Sequence, residues 1–271
     1  MEERNRKYQE RVYHRYDACV FRKTKEQFGG LSNMASGFPI TVNGIHFYSS
    51  EALYQACRFP HLPEVQEKII SQKSPMSAKM VSKPFRKDSR ADWESIRIEV
   101  MTWCLKVKLA QNFISFGQLL ESTFDKSIVE DSSKDDFWGA ITDKENPVFL
   151  KGVNALGRLL MQLRQLYNSP NRFSLLYVNV PSIVNFSLLG NSIQPIDERI
   201  NFQNYLNKLW GFNKSGSKII NSSIIAYSHS NDLNNVEEPI LDVKKKSKKQ
   251  PVVKKKNIGV KKSDIQPELP I

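Results

Sequence analysis

The sequence of 271 residues predicts an α+β fold dominated by helices, with a small β-hairpin or sheet and a disordered basic C-terminal tail. Three observations support this prediction. An Asn-Gly pair joins two runs of β-branched and aromatic residues, several later segments repeat apolar residues at helical spacing, and lysines dominate the last part of the chain. A hydrophobic content of 40% is sufficient for a sizeable core.

The composition restricts the class of protein. No run approaches the ~18 apolar residues of a transmembrane helix, and the first seven residues are not followed by a hydrophobic segment. The three cysteines, Cys19, Cys57 and Cys104, are far apart and never form a CxxC pair, which argues against a disulfide framework and a zinc site. We therefore expect an intracellular protein, cytoplasmic or nuclear, with no metal site and no membrane association.

The net charge of +12 is unevenly distributed along the chain. Residues 242–271 hold ten lysines and three acidic residues, a net charge of +7. We expect residues 231–271 to be disordered, and the lysines to serve as a nuclear localisation segment or to attract nucleic acid through its phosphates. Base stacking is not expected there, because arginine and aromatic residues are not interleaved with the lysines.

The N-terminal part predicts the short strands. Residues 1–17 form a basic extension that we expect to fray or to form a short helix, and residues 18–21 are a strand candidate. The glycine-containing stretch 28–33 has the composition of a loop that places backbone N–H groups near a ligand. The segment 38–48 predicts a two-residue hairpin that turns at Asn43-Gly44.

A helix is predicted for residues 51–59, preceded by serines that can cap it and ended by Pro60. Glu51, Gln55 and Arg58 lie on neighbouring turns, so one face presents a carboxylate, an amide and a guanidinium. A favourable interaction with the helix dipole would explain Glu51 without any function. Further helices are predicted for 64–72, 77–82, 92–112, 116–122 and from 151 through 166.

The end of the folded part gives weaker signals. Gly157 interrupts the last predicted helix and indicates close packing or ligand approach, because glycine weakens a helix by ~1 kcal/mol. Residues 169–230 form a C-terminal extension rich in Asn and Ser, with apolar clusters but no motif. They either cover the main domain or form a small appendage.

The stretch 128–139 has the strongest chemical character. A short strand predicted for 127–129 leads into four carboxylates within seven residues, which are followed by Phe137-Trp138-Gly139. Such dense charge is usually a solvated loop, with the Trp packed underneath. In a binding site, the indole would stack on a nucleobase, the glycine would let the backbone approach a ligand, and a carboxylate would stabilise a cation.

Seven groups of residues between Ala18 and Tyr167 follow one another in the order and spacing of a known family. They are Leu31-Ser32-Asn33; Gly44 and Tyr48 with Glu51 and Gln55-Ala56; Arg90 with Asp92-Trp93 and Met101; Lys108 with Gln111-Asn112; Ile128-Val129-Glu130; Asp135 with Trp138-Gly139; and Gly152, Asn154, Leu156-Gly157, Leu160-Met161 and Arg164. In these groups the chain resembles the NADAR family, also called YbiA-like, over a domain of residues 18–168.

The resemblance implies an enzyme that hydrolyses an N-glycosidic bond. The implied substrates are phosphoribosylamino-pyrimidine intermediates of riboflavin synthesis, compounds derived from NAD or ADP-ribose, and ADP-ribosylated guanine bases. The implied fold is a helix-dominated YbiA-like domain with a small sheet. No metal or redox cofactor is needed for this chemistry.

The expected site residues follow from the resemblance and from the chemistry of the bond. Breaking a ribosyl C–N bond builds positive charge on the sugar, which a carboxylate stabilises, and a carboxylate also deprotonates water. We expect Glu51 and Asp135 to form this pair, with Glu130 as second candidate, and Trp93 and Trp138 to frame the base or sugar. The other residues expected to bind ribose and phosphate are Asn33, Gln55, Arg58, Arg90, Gly139 and Asn154.

Arg58 departs from the family pattern, in which relatives usually carry Lys. A guanidinium stays protonated and is a poor nucleophile, so a covalent role of that amine would be lost, whereas a role in neutralising phosphate would be kept. The alternative function is therefore a non-catalytic module that binds ADP-ribose or NAD and is brought to nucleic acid by the tail. A third is a nucleic-acid-associated protein in which the tail dominates.

Overall fold

The computed structural model describes residues 9–210 of the chain. The tail predicted to be disordered, residues 231–271, lies outside the described residues, as does its proposed nuclear localisation segment. Within 9–210 the predicted α+β class, dominated by helices, is confirmed. No helix in this range is both long enough and apolar enough to cross a membrane.

Short strands supply four small sheets in the described part of the chain. The strands are β1 Arg11–His14, β2 Ala18–Phe21, β3 Ile40–Val42, β4 Ile45–Phe47, β5 Ser127–Ser132, β6 Ala140–Thr142, β7 Phe149–Gly152, β8 Tyr177–Val178, β9 Ser187–Leu188, β10 Asn191–Ser192 and β11 Ile196–Asp197. The largest sheet has the order β1-β7-β6-β5-β2, in which β5 is parallel to both of its neighbours and β7 is antiparallel to both of its own.

The described range contains seven α-helices. They are α1 Ser50–Ala56, α2 Pro63–Ile70, α3 Pro75–Ser82, α4 Trp93–Gln111, α5 Phe113–Glu121, α6 Ala155–Tyr167 and α7 Arg199–Trp210. The predicted helices are confirmed as elements, with ends that differ by a few residues. The helix predicted from residue 151, α6, begins later than predicted. Residues 151 and 152 belong to β7, and Asn154 has a left-handed backbone with φ of 52°.

The predicted hairpin is confirmed as β3 and β4, with Ile40 opposite Phe47. Its turn residues, Asn43 and Gly44, have φ of 51° and 76°, the left-handed conformations that a two-residue turn of this type requires. The strand predicted for residues 18–21 is also confirmed, as β2.

The expectation that the N-terminal extension frays or forms a helix is wrong for residues 11–14. These residues form β1 and pair antiparallel with β7, where Tyr13 lies opposite Leu150. Val12 faces solvent and Tyr13 is buried, the alternation of a strand with one covered face. Residues 1–8 lie outside the described part.

The segment after residue 168 covers the main core. Its side chains Leu176, Val178, Phe186 and Leu188 are buried in the same apolar cluster as α4. The ring of Phe186 packs edge-on against Trp103 at 5.0 Å between centroids. The sequence left open whether this segment covers the main domain or forms an appendage. Residues 172–202, which end within α7, cover the main domain.

Gly157 lies where α6 crosses β5. A Cβ on this residue would overlap the carbonyl oxygen of Ile128. Gly157→Ala is therefore expected to destabilise the protein by about 3 kcal/mol, because backbone rather than a flexible side chain must move. Urea unfolding measures the effect, with Gly37→Ala as the matched control, since nothing lies within 4 Å of a Cβ there. Equal stability of the two variants would contradict this account of the crossing.

Candidate active site

The N-terminus of α1 places Glu51 at the floor of a cleft. Ser49 has an extended backbone, and its side chain accepts a hydrogen bond from the N–H of Ala52 at 3.2 Å, which starts the helix. The N–H of Glu51 donates to the carbonyl oxygen of Asn33 at 3.1 Å. Only 6% of Glu51 is exposed, so its carboxylate is held in place with little contact to water.

Two side chains, Gln55 and Lys79, contact the Glu51 carboxylate, and Ser82 in turn holds Gln55. Gln55, one turn along α1, donates from Nε2 to Oε1 of Glu51 at 3.0 Å, and Ser82 on α3 donates to the Gln55 amide oxygen at 2.9 Å. Lys79 on α3 places Nζ at 3.8 Å from the same carboxylate oxygen. This cation offsets the cost of keeping a charged carboxylate in a nearly buried position.

Glu130 faces the same cleft from β5, which extends three residues beyond the strand predicted from the sequence. Its N–H donates to Oδ1 of Asn154 at 3.2 Å, and Nδ2 of Asn154 donates to the carbonyl oxygen of Ile128 at 2.8 Å. Burial, together with the negative charge of Glu51, raises the pKa of Glu130 from its ordinary value of 4.5 to about 7. The two glutamates therefore differ in environment although they share one hollow.

The charge of Lys79 opposes this elevation and lowers the pKa of Glu130. Lys79→Met is therefore expected to raise the pKa of Glu130 further. Carbon-13 NMR titration of the glutamate side-chain carboxyls measures the shift. Lys73→Met, an exposed residue just before α3, is the control. A downward shift in Lys79→Met, or equal titrations in both variants, would contradict the arrangement.

Asp135 lies at the mouth of the cleft and shapes the loop after β5. Its Oδ1 accepts hydrogen bonds from the N–H groups of Phe137 at 3.1 Å and Trp138 at 2.8 Å. The residue is exposed. Asp135 therefore fixes the backbone that carries the Trp138 ring. Of the three cleft carboxylates expected from the sequence, it accepts the most hydrogen bonds from backbone N–H groups.

Aromatic rings and guanidinium groups form the remaining walls. Tyr54 lies between the two tryptophans, with ring centroids 5.0 Å from Trp93 and 5.8 Å from Trp138. The Arg58 guanidinium lies over Trp93 at 5.2 Å, and that of Arg97 lies over Phe137 at 3.8 Å. The hollow of about 280 Å³ thus combines flat apolar surfaces for a ring with cations for an anionic group.

Lys108 anchors the loop that carries Asn33. Its side chain is fully buried, and its Nζ donates to the carbonyl oxygens of Gly30 at 2.8 Å and Ser32 at 3.2 Å. The Asn33 amide oxygen then accepts from the hydroxyl of Ser50 at 3.3 Å. The buried Lys108 side chain on α4 therefore holds this loop against the start of α1.

Eight of the eleven residues expected from the sequence line this cleft. They are Asn33, Glu51, Gln55, Arg58, Trp93, Glu130, Asp135 and Trp138. The structure therefore gathers side chains from α1, the turn after it, α4, β5 and two loops at one place.

Three expected residues do not line the cleft. Arg90 pairs with Asp92 and donates to carbonyl oxygens near residue 184, in a different hollow. Asn154 is fully buried and clamps β5 as described above. Gly139 packs against backbone, because a Cβ there would lie 2.6 Å from the carbonyl oxygen of Glu130. Asn154 and Gly139 support the site from outside the cleft.

The sequence reasoning missed Tyr54, Lys79 and Arg97, which also line the cleft. The sequence could have indicated Tyr54, because it lies at the i+3 position from Glu51 on the helix face that was already expected to form the site. Lys79 and Arg97 belong to other helices, and no local spacing connects them with Glu51.

This chain is similar to known proteins over the part that contains the cleft. The model of the NADAR domain family matches residues 20–167. N-glycosidase YbiA of Escherichia coli (strain K12) is 34% identical over 145 residues, which cover 54% of this chain and 85% of YbiA. A riboflavin biosynthesis protein of Vibrio vulnificus (strain YJ016) is 37% identical over 147 residues, which cover 54% of this chain but only 37% of that protein.

An NMR structure of E. coli YbiA superposes with a TM-score of 0.46 at 32% identity, over 55% of this chain and 84% of YbiA. The family match spans more than half of the chain and contains every residue of the cleft described above. The chain belongs to the NADAR domain family.

Proposed function

We propose that this protein is an N-glycosidase that hydrolyses a ribosyl C–N bond. The observation that carries the proposal is the pair of glutamates, Glu51 and Glu130, facing one small cleft in different electrostatic environments. A carboxyl that keeps its proton near neutral pH donates it, and a carboxylate that stays charged stabilises a cation. Hydrolysis of a glycosidic bond requires both groups.

In this proposal Glu130 donates a proton to the departing base, because burial and the charge of Glu51 raise its pKa to about 7. Glu51 stabilises the positive charge that develops on the ribose and accepts a proton from the attacking water. The bond that breaks joins the sugar carbon to the base nitrogen, and the new bond joins that carbon to the water oxygen. Asp135 orders the loop rather than serving as the partner of Glu51.

The walls of the cleft assign the other parts of the substrate. Trp93 and Trp138, with Tyr54 between them, form the aromatic wall against which the planar base or the sugar ring packs. Arg58 and Arg86, which both line the cleft, bind phosphate on the ribose. The substrate class is an ADP-ribosylated base or a phosphoribosylamino-pyrimidine. The names of the relatives, N-glycosidase and riboflavin biosynthesis protein, support this class.

The test is incubation of the purified protein with three compounds: a phosphoribosylamino-pyrimidine, NAD, and DNA containing ADP-ribosylated guanine. Chromatography of the released base and sugar measures hydrolysis. We expect release from one of the three, and none from the Glu51→Gln, Glu130→Gln double variant. Absence of release from all three would contradict the proposal.

A second candidate, a non-catalytic module that binds ADP-ribose or NAD, is favoured by Arg58 alone. The Nε of Arg58 donates to the hydroxyl of Ser89 at 2.6 Å, so the guanidinium is held as a fixed cation rather than as a nucleophile. Calorimetric binding of ADP-ribose without turnover, together with turnover gained in Arg58→Lys, would support this candidate. Turnover by the natural protein would reject it.

A further inference from the structure

A strip of basic residues runs along α3 and the 3-10 helix that follows it, Lys83–Asp88. We use the name basic strip for Lys79, Lys83, Arg86 and Lys87. The surrounding residues 73–90 contain six basic side chains and one acidic side chain. Lys83, Arg86 and Lys87 are exposed, and Lys79 is partly exposed.

The backbone places the strip on one surface that leads to the cleft. Lys79 and Lys83 are four residues apart at the end of α3, so they lie on the same helix face. Lys83 and Arg86 are three residues apart in a 3-10 helix, in which such side chains eclipse one another. Lys79 and Arg86 line the cleft, whereas Lys83 and Lys87 lie outside it.

Three of the four charges of the strip have no carboxylate partner in the described part of the chain. Lys79 contacts the Glu51 carboxylate, but no carboxylate among residues 9–210 lies within 4 Å of Lys83, Arg86 or Lys87. Burial lowers the pKa of the Arg58 guanidinium, and the charge of Arg86 lowers it further. Like charges held together without counterions form a surface for a polyanion.

The occupant must extend beyond the cleft. A hollow of about 280 Å³ is the size for one nucleotide-like ligand, and such a ligand would not reach the cations outside it. Beside the strip, Met76 and Met80 are more than half exposed and lie one turn apart on α3. Phosphates spaced along a strand, with unstacked bases between them, match cations and adaptable apolar side chains in this arrangement.

We infer that the basic strip binds the phosphate backbone of a single-stranded nucleic acid and presents one nucleotide of that strand to the cleft. The presentation step rests on the proposed N-glycosidase function, whereas the binding step does not. A strand held in this way delivers a base that is already unstacked, so no duplex has to be opened. The strip reads no sequence, because it contacts phosphate and not base edges.

The experiment measures binding of the full-length protein to fluorescein-labelled oligothymidylate by anisotropy at several salt concentrations. Lys83→Glu combined with Lys87→Glu tests the strip. Lys25→Glu combined with Lys144→Glu is the matched control, because both lysines are exposed and line no hollow near α3. The two double variants carry the same net charge and the same tail. Any difference between them therefore belongs to the strip.

We expect the strip variant to bind about tenfold more weakly at low salt. The slope of its affinity against salt concentration, both on logarithmic scales, should fall by roughly 0.7 for each phosphate that the variant no longer binds. The control variant should stay within about twofold of the natural protein. Equal affinities of the two variants would overturn the inference. Binding of the strip to vesicles containing phosphatidylserine, with the oligothymidylate affinities equal, would assign the surface to a membrane and overturn it as well.

A second measurement separates the strip from the cleft. Hydrolysis of the small substrate identified above should be unchanged in the strip variant, since neither lysine lines the cleft. Equal loss on the small substrate and on a strand would place these lysines in recognition of the small substrate and reject the strip. If the natural protein hydrolyses nothing, the proposed function fails, but the two oligothymidylate affinities still decide whether the strip binds a strand.

Discussion

Glu51→Gln is expected to lower kcat by about 10³-fold while the protein remains folded. The carboxamide keeps the shape of the side chain, but it removes the negative charge that faces the sugar as positive charge develops there. The substrate is uncharged at that carbon before reaction, so KM should change much less than kcat. Steady-state kinetics with the substrate identified by the incubation test measures both constants.

Glu94→Gln is the matched control for this loss. Glu94 also lines the cleft, but its side chain is 77% exposed and pairs with Arg97 at 2.9 Å. It should lose less than about fivefold in kcat, since an exposed ion pair contributes little. Normal turnover in Glu51→Gln, or the same large loss in both variants, would reject the role given to Glu51.

Glu130→Gln is expected to lower kcat by about 10²–10⁴-fold, because the amide cannot donate a carboxyl proton to the leaving base. The natural protein should lose kcat as pH rises through about 7, where the carboxyl loses its proton. In Glu130→Gln, kcat should no longer fall as pH rises through about 7. If kcat of Glu130→Gln still fell over this pH range, the general acid would be another residue.

The same substitution has an expected effect on stability with a defined sign. The folded protein keeps the Glu130 proton up to about pH 7, whereas the unfolded chain loses it near pH 4.5. The unfolded state therefore binds fewer protons in this window, so the free energy of unfolding falls as pH rises from about 4.5 to about 7. Glu130→Gln removes this dependence and should be more stable than the natural protein at pH 8, by about 2 kcal/mol.

Urea unfolding at pH 4 and pH 8 tests this sign. The two proteins should differ little at pH 4, where the carboxyl is protonated in both states. The opposite order at pH 8 would show that the charged form of Glu130 is stabilised in the fold. Glu145→Gln, an exposed change in the turn between β6 and β7, is the control: it keeps Glu130, so its free energy of unfolding should fall between pH 4 and pH 8 as that of the natural protein does.

Local spacing was sufficient to predict one wall of the cleft. Glu51 and Gln55 lie four residues apart on α1, Arg58 lies in the turn that follows it, and all three line one hollow. The same rule could have added Tyr54. A helix forms hydrogen bonds only between near neighbours in sequence. The pattern of residues 51–58 was therefore sufficient to predict which side chains share a face.

The relative roles of Glu130 and Asp135 could not be read in this way. The acidic stretch divides where β5 ends, at Ser132, so Glu130 is held in a strand and Asp135 in a turn. The clamp that carries β5 as far as Glu130 comes from Asn154, twenty-four residues later. A density of carboxylates in sequence does not show which of them is buried, because that depends on pairing with distant segments.

Arg90 was expected in the cleft but lies outside it. Its place beside Asp92 and Trp93 suggested a cleft residue, and Trp93 does line the cleft. The guanidinium instead points to the carbonyl oxygens of Val184 and Asn185, in a segment beyond the region that matches the family. Partners so far away in sequence, and without a motif of their own, leave no signal near residue 90. The N-terminal strand β1 was missed for the same reason, since its partner β7 lies more than a hundred residues away.

The segment after residue 168 also limits how this chain can be shortened. Gln66 is fully buried, and it donates to the carbonyl oxygen of Ser187 while accepting from the N–H of Leu189. A fragment that stops at the family boundary would leave that amide and the Arg90 guanidinium without these acceptors, and would uncover Trp103. Expression of the family region by itself should therefore yield an aggregating product, and the smallest autonomous unit of this protein should extend to the end of α7.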